Sequence, residues 1–325
     1  MKYYAAPLEG ITGYIYRNAH HKFYPGVDKY FTPFLSPKIK RGMNTKEQKD
    51  IAPANNQGIP LVPQILTNQP DGFLQVAQIL AELGYREINF NLGCPSGTVV
   101  SKGRGSGFLK NHDALRRFFE EVMAGLDKKG MQSMKISVKT RLGINDPDEI
   151  LPLMEIFNDY PFSELIIHAR LLKDYYKGPV KWDAFREAAA ICKHPLCYNG
   201  DLFTPEDMKE FRKEFPDIDM VMMGRGLIAD PQLCELCQTP EGEPAVRDYD
   251  RMFLFLQEIS DRYAETFSGE KHVLFKMKEL WSYMHVLFPD QPKVWKKIKK
   301  ANSLMDYNRA IQGIKIQGGQ TPDGV

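Results

Sequence analysis

Eight short β-rich runs alternating with amphipathic stretches, then a strand-free and basic segment, predict an α/β chain: a (β/α)8 TIM barrel followed by a small all-helical C-terminal domain. Polar and glycine residues also gather where the runs end, the edge at which barrel enzymes place their chemistry. The alternating part occupies roughly 235 residues, against the ~250 typical of such barrels. A doubly wound sheet is the structural alternative, but eight β/α units exceed what it usually needs.

The runs fall near residues 3–6, 29–34, 60–66, 87–93, 134–142, 164–170, 196–201 and 220–226. Between most of them, apolar residues recur at spacings of three and four, as in 71–83, 113–126, 147–157, 182–191 and 205–215. Residues 1–238 therefore read as the barrel. After a turn-rich link, 245–312 read as a helical domain and 313–325 as a flexible tail. Phe253, Leu256, Ile259 and Tyr263 form one apolar stripe; Met277, Leu280, Trp281, Met284 and Leu287 form another. Such stripes belong to bundle cores rather than ligand boxes.

Composition removes several classes. Of 325 residues 43% are hydrophobic, enough for one large core and a smaller second one. No secretory leader is expected from Met1–Pro7, and no apolar stretch reaches the roughly 18 residues a membrane span needs. Five cysteines (Cys94, Cys192, Cys197, Cys234, Cys237) are few and odd in number, which argues against a disulfide framework and for a reducing, cytoplasmic setting. Cys234 and Cys237 have metal-ligand spacing, but Leu236 continues an apolar helix pattern between them, so no metal is expected. The net charge of +2 does not by itself suggest nucleic acid. Its distribution does: from Lys271 to Lys300 there are eight lysines against Glu279 and Asp290. That stretch, with Lys296, Lys297 and Lys300, can serve as a phosphate platform for RNA, or be only a solvated helix face. Lys38, Lys40, Arg41, Lys46 and Lys49 after the second run, and Lys102 and Arg104 beside Cys94, could extend it.

Asn91-Leu-Gly-Cys94-Pro95 places a thiol where the fourth run ends. A cysteine there can be nucleophile, proton donor, metal ligand or an inert small residue. The glycines of 101–107 just downstream suggest a mobile loop able to fold over a site. The other runs end in Pro7-Leu8-Glu9, Lys139-Thr-Arg141, His168-Ala-Arg170, Asn199-Gly200-Asp201 and Gly224-Arg225-Gly226, and the third carries Gln64. The seventh and eighth loops of a barrel commonly hold a phosphate, so Gly200, Gly224, Gly226 and Arg225 point to one. A phosphate there and a lysine on the fifth run suggest flavin mononucleotide, with Lys139 near the flavin N1/O2 edge and Gln64 bonding the ring system.

In order along residues 5–226, the segments around Ala6-Pro7-Leu8-Glu9-Gly10, Asn91–Pro95, Val138–Arg141, Ile167–Arg170, Asn199–Asp201 and Met223–Gly226 resemble the tRNA-dihydrouridine synthases. The resemblance implies an FMN-dependent barrel that reduces the 5,6 double bond of particular uridines in folded RNA, with NADPH as the electron source. It implies Cys94 as the general acid at C5 and Asn91 as a uracil contact. Pro7, Leu8, Glu9, Gln64 and Lys139 would hold the isoalloxazine; His168, Asn199, Gly200, Asp201, Gly224 and Arg225 would hold the ribityl chain and phosphate. Arg141 and Arg170 are candidate substrate contacts or structural ion pairs. Gly13, Ala169 and Thr32-Pro33-Phe34 depart from the family pattern, which leaves the uridine position open, and transfer versus ribosomal RNA as well. Two rivals stand beside this: a small-molecule FMN barrel of the dihydroorotate dehydrogenase or old-yellow-enzyme kind, and a catalytically silent RNA-binding barrel.

Overall fold

The computed structural model describes residues 1–37, 43–240, 242–288 and 290–318. Lys38, Lys40 and Arg41 of the basic loop lie outside the described residues. Nine parallel strands follow one another: β1 (Lys2–Ala5), β2 (Lys29–Phe31), β3 (Leu61–Val62), β4 (Gln64–Ile65), β5 (Glu87–Leu92), β6 (Lys135–Gly143), β7 (Glu164–Leu171), β8 (Leu196–Asn199) and β9 (Met220–Met223). They form a single sheet in the order β3-β2-β1-β9-β8-β7-β6-β5-β4.

The two ends of that sheet are halves of the third predicted run. Proline at 63 has no N–H for a ladder bond, so the run divides there. Leu61 pairs back to Tyr30 of β2, while Gln64 pairs onward to Asn89 of β5. A bridge between Leu35 and Ile65 spans the join. The barrel thus closes with eight chain passes, one of them split.

The expected helices are present at Pro70–Glu82, His112–Lys128, Ile150–Asn158, Trp182–Ile191 and Pro205–Glu214. Each lays an apolar face on the outer side of the sheet; Phe118 stacks on Phe90 at 4.7 Å between ring centroids. Full burial of side chains of this size contributes about 1.5–3 kcal/mol each. The start of Pro205–Glu214 shows why the boundary falls there: Thr204 accepts from the Asp207 N–H in a capping box, and Pro205 occupies the first turn.

Helices at Tyr249–Thr266, Glu270–Met284, Gln291–Lys300 and Leu304–Gly318 make the C-terminal part. Their core is shared with the barrel: Ile11, Ile15, Tyr16, Ala19 and Ile228 belong to the same cluster as Phe255, Ile259, Met277 and Trp281. His20, in the helix Tyr14–Phe23, is fully buried there between Tyr30 Oη (2.8 Å) and the Pro231 carbonyl (3.0 Å). The last helix runs Leu304–Gly318 with Ile314 buried; residues 319–325 of the expected tail lie outside the described residues. Among the described residues, no helix is long and apolar enough to cross a membrane.

Candidate active site

Alternation along the strands decides which side chains meet inside the barrel. On β6, Ile136, Val138 and Leu142 join the outer core, which turns Ser137, Lys139 and Arg141 inward. On β7, Leu165, Ile167 and Ala169 face out, leaving Glu164, Ile166, His168 and Arg170 inside. The same rule turns Asn89 and Asn91 inward on β5, and Cys197 and Asn199 on β8. An inner plug containing Tyr4, Phe31, Ile166, Cys197 and Met222 fills the barrel below the polar layer.

Above this plug, at the C-terminal ends of the strands, lies a cavity of about 880 Å³. Pro7, Leu8 and Glu9 line it from the β1 loop, and Gln64, Asn91 and Cys94 from β4 and β5. Lys139, Arg141 and His168 line it from β6 and β7; Asn199, Gly200, Asp201, Gly224 and Arg225 complete the wall from β8 and β9. Five predicted residues do not line it with these. Lys102, Lys296, Lys297 and Lys300 are exposed elsewhere, and Arg104 reaches Asn68 Oδ1 at 3.4 Å.

A sixth, Arg170, is also absent from the lining. It is 1% exposed, pairs with both carboxylate oxygens of Asp201, and donates to the Gly178 carbonyl. Its guanidinium is engaged in a buried ion pair, one of the two roles the sequence left open for it. Asp201 is tied in turn to Arg225 Nη2 at 2.8 Å.

Asn91 fixes the thiol. Its Oδ1 accepts from the Gly93 N–H (3.0 Å) and the Cys94 N–H (2.9 Å), holding the turn that presents Cys94. Its Nδ2 donates to Gln64 Oε1 (2.7 Å), Gln64 donates to Asn89 (2.7 Å), and Asn89 to Ser137 (2.9 Å). Four inward side chains from three strands are thereby locked in one orientation. The glycine-rich segment behaves differently from the mobile loop expected of it. Ser106 donates through N–H and Oγ to the Cys94 carbonyl (3.1 and 2.8 Å). Gly105 has φ +55°, and a Cβ there would lie 2.8 Å from that carbonyl oxygen. These glycines permit close packing under the thiol rather than a swinging lid. Gly200 and Gly226 are similarly explained by packing, since a Cβ would strike Tyr198 or the Leu202 carbonyl.

The electrostatics are lopsided. Lys139, Arg141, Arg170 and Arg225 gather around the buried His168, with Asp201 paired to two of them, while the other lining carboxylates, Glu9 and Glu279, are paired with Lys46 and Lys276. Burial, then Arg141, pulls Lys139 down to about 7; its Nζ donates to Asn199 Oδ1 at 2.8 Å. Burial, then the neighbouring cations, holds His168 well below the usual range, so it is neutral at pH 7. Arg141 gives Nε to the Gly93 carbonyl (2.8 Å) and Nη1 to the Leu171 carbonyl (2.9 Å), while its buried Nη2 has no hydrogen-bond partner. Burial pushes the Cys94 thiol up, against the pull of Arg141 and Lys139, so it is protonated at neutral pH.

Two groups on the cavity wall escaped the sequence reading. Glu279 and Tyr283, one helical turn apart on Glu270–Met284, bring the C-terminal helices into the site, and Lys276 fastens that helix to the Gly10 carbonyl. The only sequence signal was a lone acid in a basic stretch. Tyr175 and Tyr176 form an aromatic lip after β7, half exposed; Tyr176 lies under the guanidinium groups of Arg141 and Arg225 at 5.3 Å. Tyr175 is the one non-glycine residue with positive φ (50°) among the described residues, with ψ −105°. Such a conformation costs on the order of 1–3 kcal/mol.

Comparison with known proteins agrees with this layout. The dihydrouridine synthase family model matches residues 4–316. The tRNA-dihydrouridine(16) synthase of Cupriavidus necator is 25% identical over 321 residues, covering 96% of each chain. That of Pseudomonas putida is 24% identical over 332 residues, again 96% of each. Among solved structures, morphinone reductase superposes with a TM-score of 0.51 at 13% identity, over 75% of this chain and 88% of that one, a likeness of fold alone. With the family model spanning barrel and helices alike, the chain belongs to the dihydrouridine synthase family and is an oxidoreductase.

Proposed function

We propose that this enzyme reduces the 5,6 double bond of a uridine in transfer RNA, using FMN and electrons from NADPH, in the cytoplasm. The observation that carries the reading is the Cys94 thiol on the wall of the cavity, its turn held by Asn91, with Lys139 and Arg141 lining the same space. The basic groups suit an anionic cofactor: Lys139, Arg141 and Arg225 line the cavity, and the buried Arg141 Nη2, unpartnered among the described residues, can donate to a phosphate or an electron-rich ring. Arg225, Asn199 and Gly224 would hold the phosphate and ribityl end; Lys139, Gln64 and the Pro7–Glu9 backbone would hold the ring.

FMN held by Lys139, Gln64, Asn199, Gly224 and Arg225 would supply the hydride equivalent for C6 of the uracil, with NADPH as its electron source. The protein's own part is the proton. Cys94 keeps its hydrogen until C5 becomes basic, then transfers it from Sγ, which requires a thiol that is still protonated at neutral pH, and burial keeps it from being lowered. Arg141 and Asn91 stand beside that thiol and are placed to orient the base. The target nucleotide must leave its stack to enter the cavity. The helix Gln291–Lys300, with Lys296, Lys297 and Lys300 exposed on it, supports binding of the RNA backbone. The relatives named for position 16 make that uridine the first to map.

Unmodified transfer RNA incubated with enzyme and NADPH should acquire dihydrouridine detectable by mass spectrometry, with Cys94→Ala slower by roughly 10²–10⁴-fold while retaining flavin. Turnover on dihydroorotate or another small enone, with none on RNA, would move the small-molecule reading forward. Reversing Lys296, Lys297 and Lys300 to Glu should weaken RNA binding and flatten its salt dependence; an unchanged slope would leave that helix a solvated face.

A further inference from the structure

We propose that Tyr175 is a stacking platform for the nucleobase next to the target uridine, so that the loop after β7 grips the RNA strand as its neighbour enters the cavity. The inference rests on the functional reading above and adds a residue to it. Three observations converge. Tyr175 lines the cavity yet remains 51% exposed, which puts its ring at the rim rather than in the depths where Cys94 and Lys139 sit. Among the described residues its ring makes no ring contact and no side-chain hydrogen bond, whereas its neighbour Tyr176 is engaged by His168, Arg141 and Arg225. Its backbone is held at φ 50° and ψ −105°, a region that favours glycine.

Packing does not account for a large, free aromatic ring held in strained backbone at the lip of a site; strain of this kind persists where the surroundings over-determine it and gathers at ligand clamps. The surroundings here are identifiable. The Tyr175 N–H donates to the Leu172 carbonyl (3.1 Å), the Lys177 N–H to the Asp174 carbonyl (2.8 Å), and Asp174 is fixed by the Leu171 N–H (2.9 Å). A rigid turn thus presents the ring without a partner. Every base has a π-face, so such a ring stacks on an RNA base regardless of sequence.

The test uses flavin-loaded enzyme and an unmodified transfer RNA transcript. Tyr175→Ala is expected to weaken RNA binding by about 5-fold or more, with Tyr175→Phe and Tyr175→Trp close to wild type. Tyr175→Gly, which relieves the backbone, should lose the same affinity while its Tm is no lower than that of wild type, a combination that a structural role does not produce. Emission from Tyr175→Trp should be quenched by RNA and unaffected by NADP⁺. Equal RNA affinity for wild type and Tyr175→Ala, loss of flavin from Tyr175→Ala, or quenching by NADP⁺ instead of RNA each overturns the stacking role. A wild-type enzyme that binds no transfer RNA overturns the functional reading as well, so the two failures are distinguishable.

Discussion

The two ends of the barrel each carry a partly buried lysine, and the protein treats them in opposite ways. At the N-terminal end, Lys29 bonds Glu87 (2.9 Å) and Glu164 (3.2 Å), and Tyr4 donates to Glu164 (2.8 Å). Burial opposes the charge, but the two carboxylates prevail and hold Lys29 above its ordinary pKa. At the C-terminal end, Lys139 has a neutral partner in Asn199 and a cationic neighbour in Arg141, and falls to about 7. One end is closed with paired charge and serves the fold. The other keeps uncompensated charge, which costs stability and provides a place for an anion.

Exchanging each lysine for methionine should separate these roles. Lys139→Met should slow RNA reduction by roughly 10²-fold, the scale of losing one electrostatic contact to the reacting system, with Tm unchanged or higher in flavin-free protein. Retained activity would mean that the upper charge is incidental. Lys29→Met should do the reverse. It strands Glu164, which is almost wholly buried, and should cost about 2–3 kcal/mol in denaturant unfolding, below the range for fully buried pairs because Lys29 is about a quarter exposed. Activity per folded molecule should be kept.

A pH dependence follows as well, and its sign comes from proton counting. Lys139 titrates near 7 when folded and near 10.5 when unfolded. Between those values the unfolded chain binds the extra proton, so this group makes flavin-free protein gain stability as pH rises from about 7 to 10.5. Lys139→Met should remove that part of the rise, and flavin binding should diminish it by stabilising the cation. His20 works on the acid side. Burial lowers it to about 3 against an ordinary 6.5, so its contribution is lost progressively as pH falls below 6.5, down to about 3. His20→Gln should blunt that limb of the Tm profile.

Much of this architecture is visible in the chain because strands and helices advertise their periods. Residues 182–191 are expected as a helix and form one, and the ends of the runs supply most of the cavity lining. The departures have local causes. Pro63 divides one strand because it lacks a donor, which linear spacing does not reveal. The glycines at 103–107 look mobile in sequence, yet Gly105 is there because the Cys94 carbonyl leaves no room for a Cβ. Arg170 shares the inward face of His168 and looks equally available, until Asp201 from the loop after β8 takes its guanidinium.

The sequence by itself determined the alternating barrel, the thiol at a strand end and the family to which the chain belongs, because period, turn chemistry and ordered motifs are local properties. Tertiary structure alone decided which cations are paired and which are spare, that Asn91 holds the Cys94 turn, and that Glu279 and Tyr283 reach the barrel mouth from a distant helix. Charge compensation and cavity walls depend on distances between segments that are remote in the chain, and no local pattern encodes those distances.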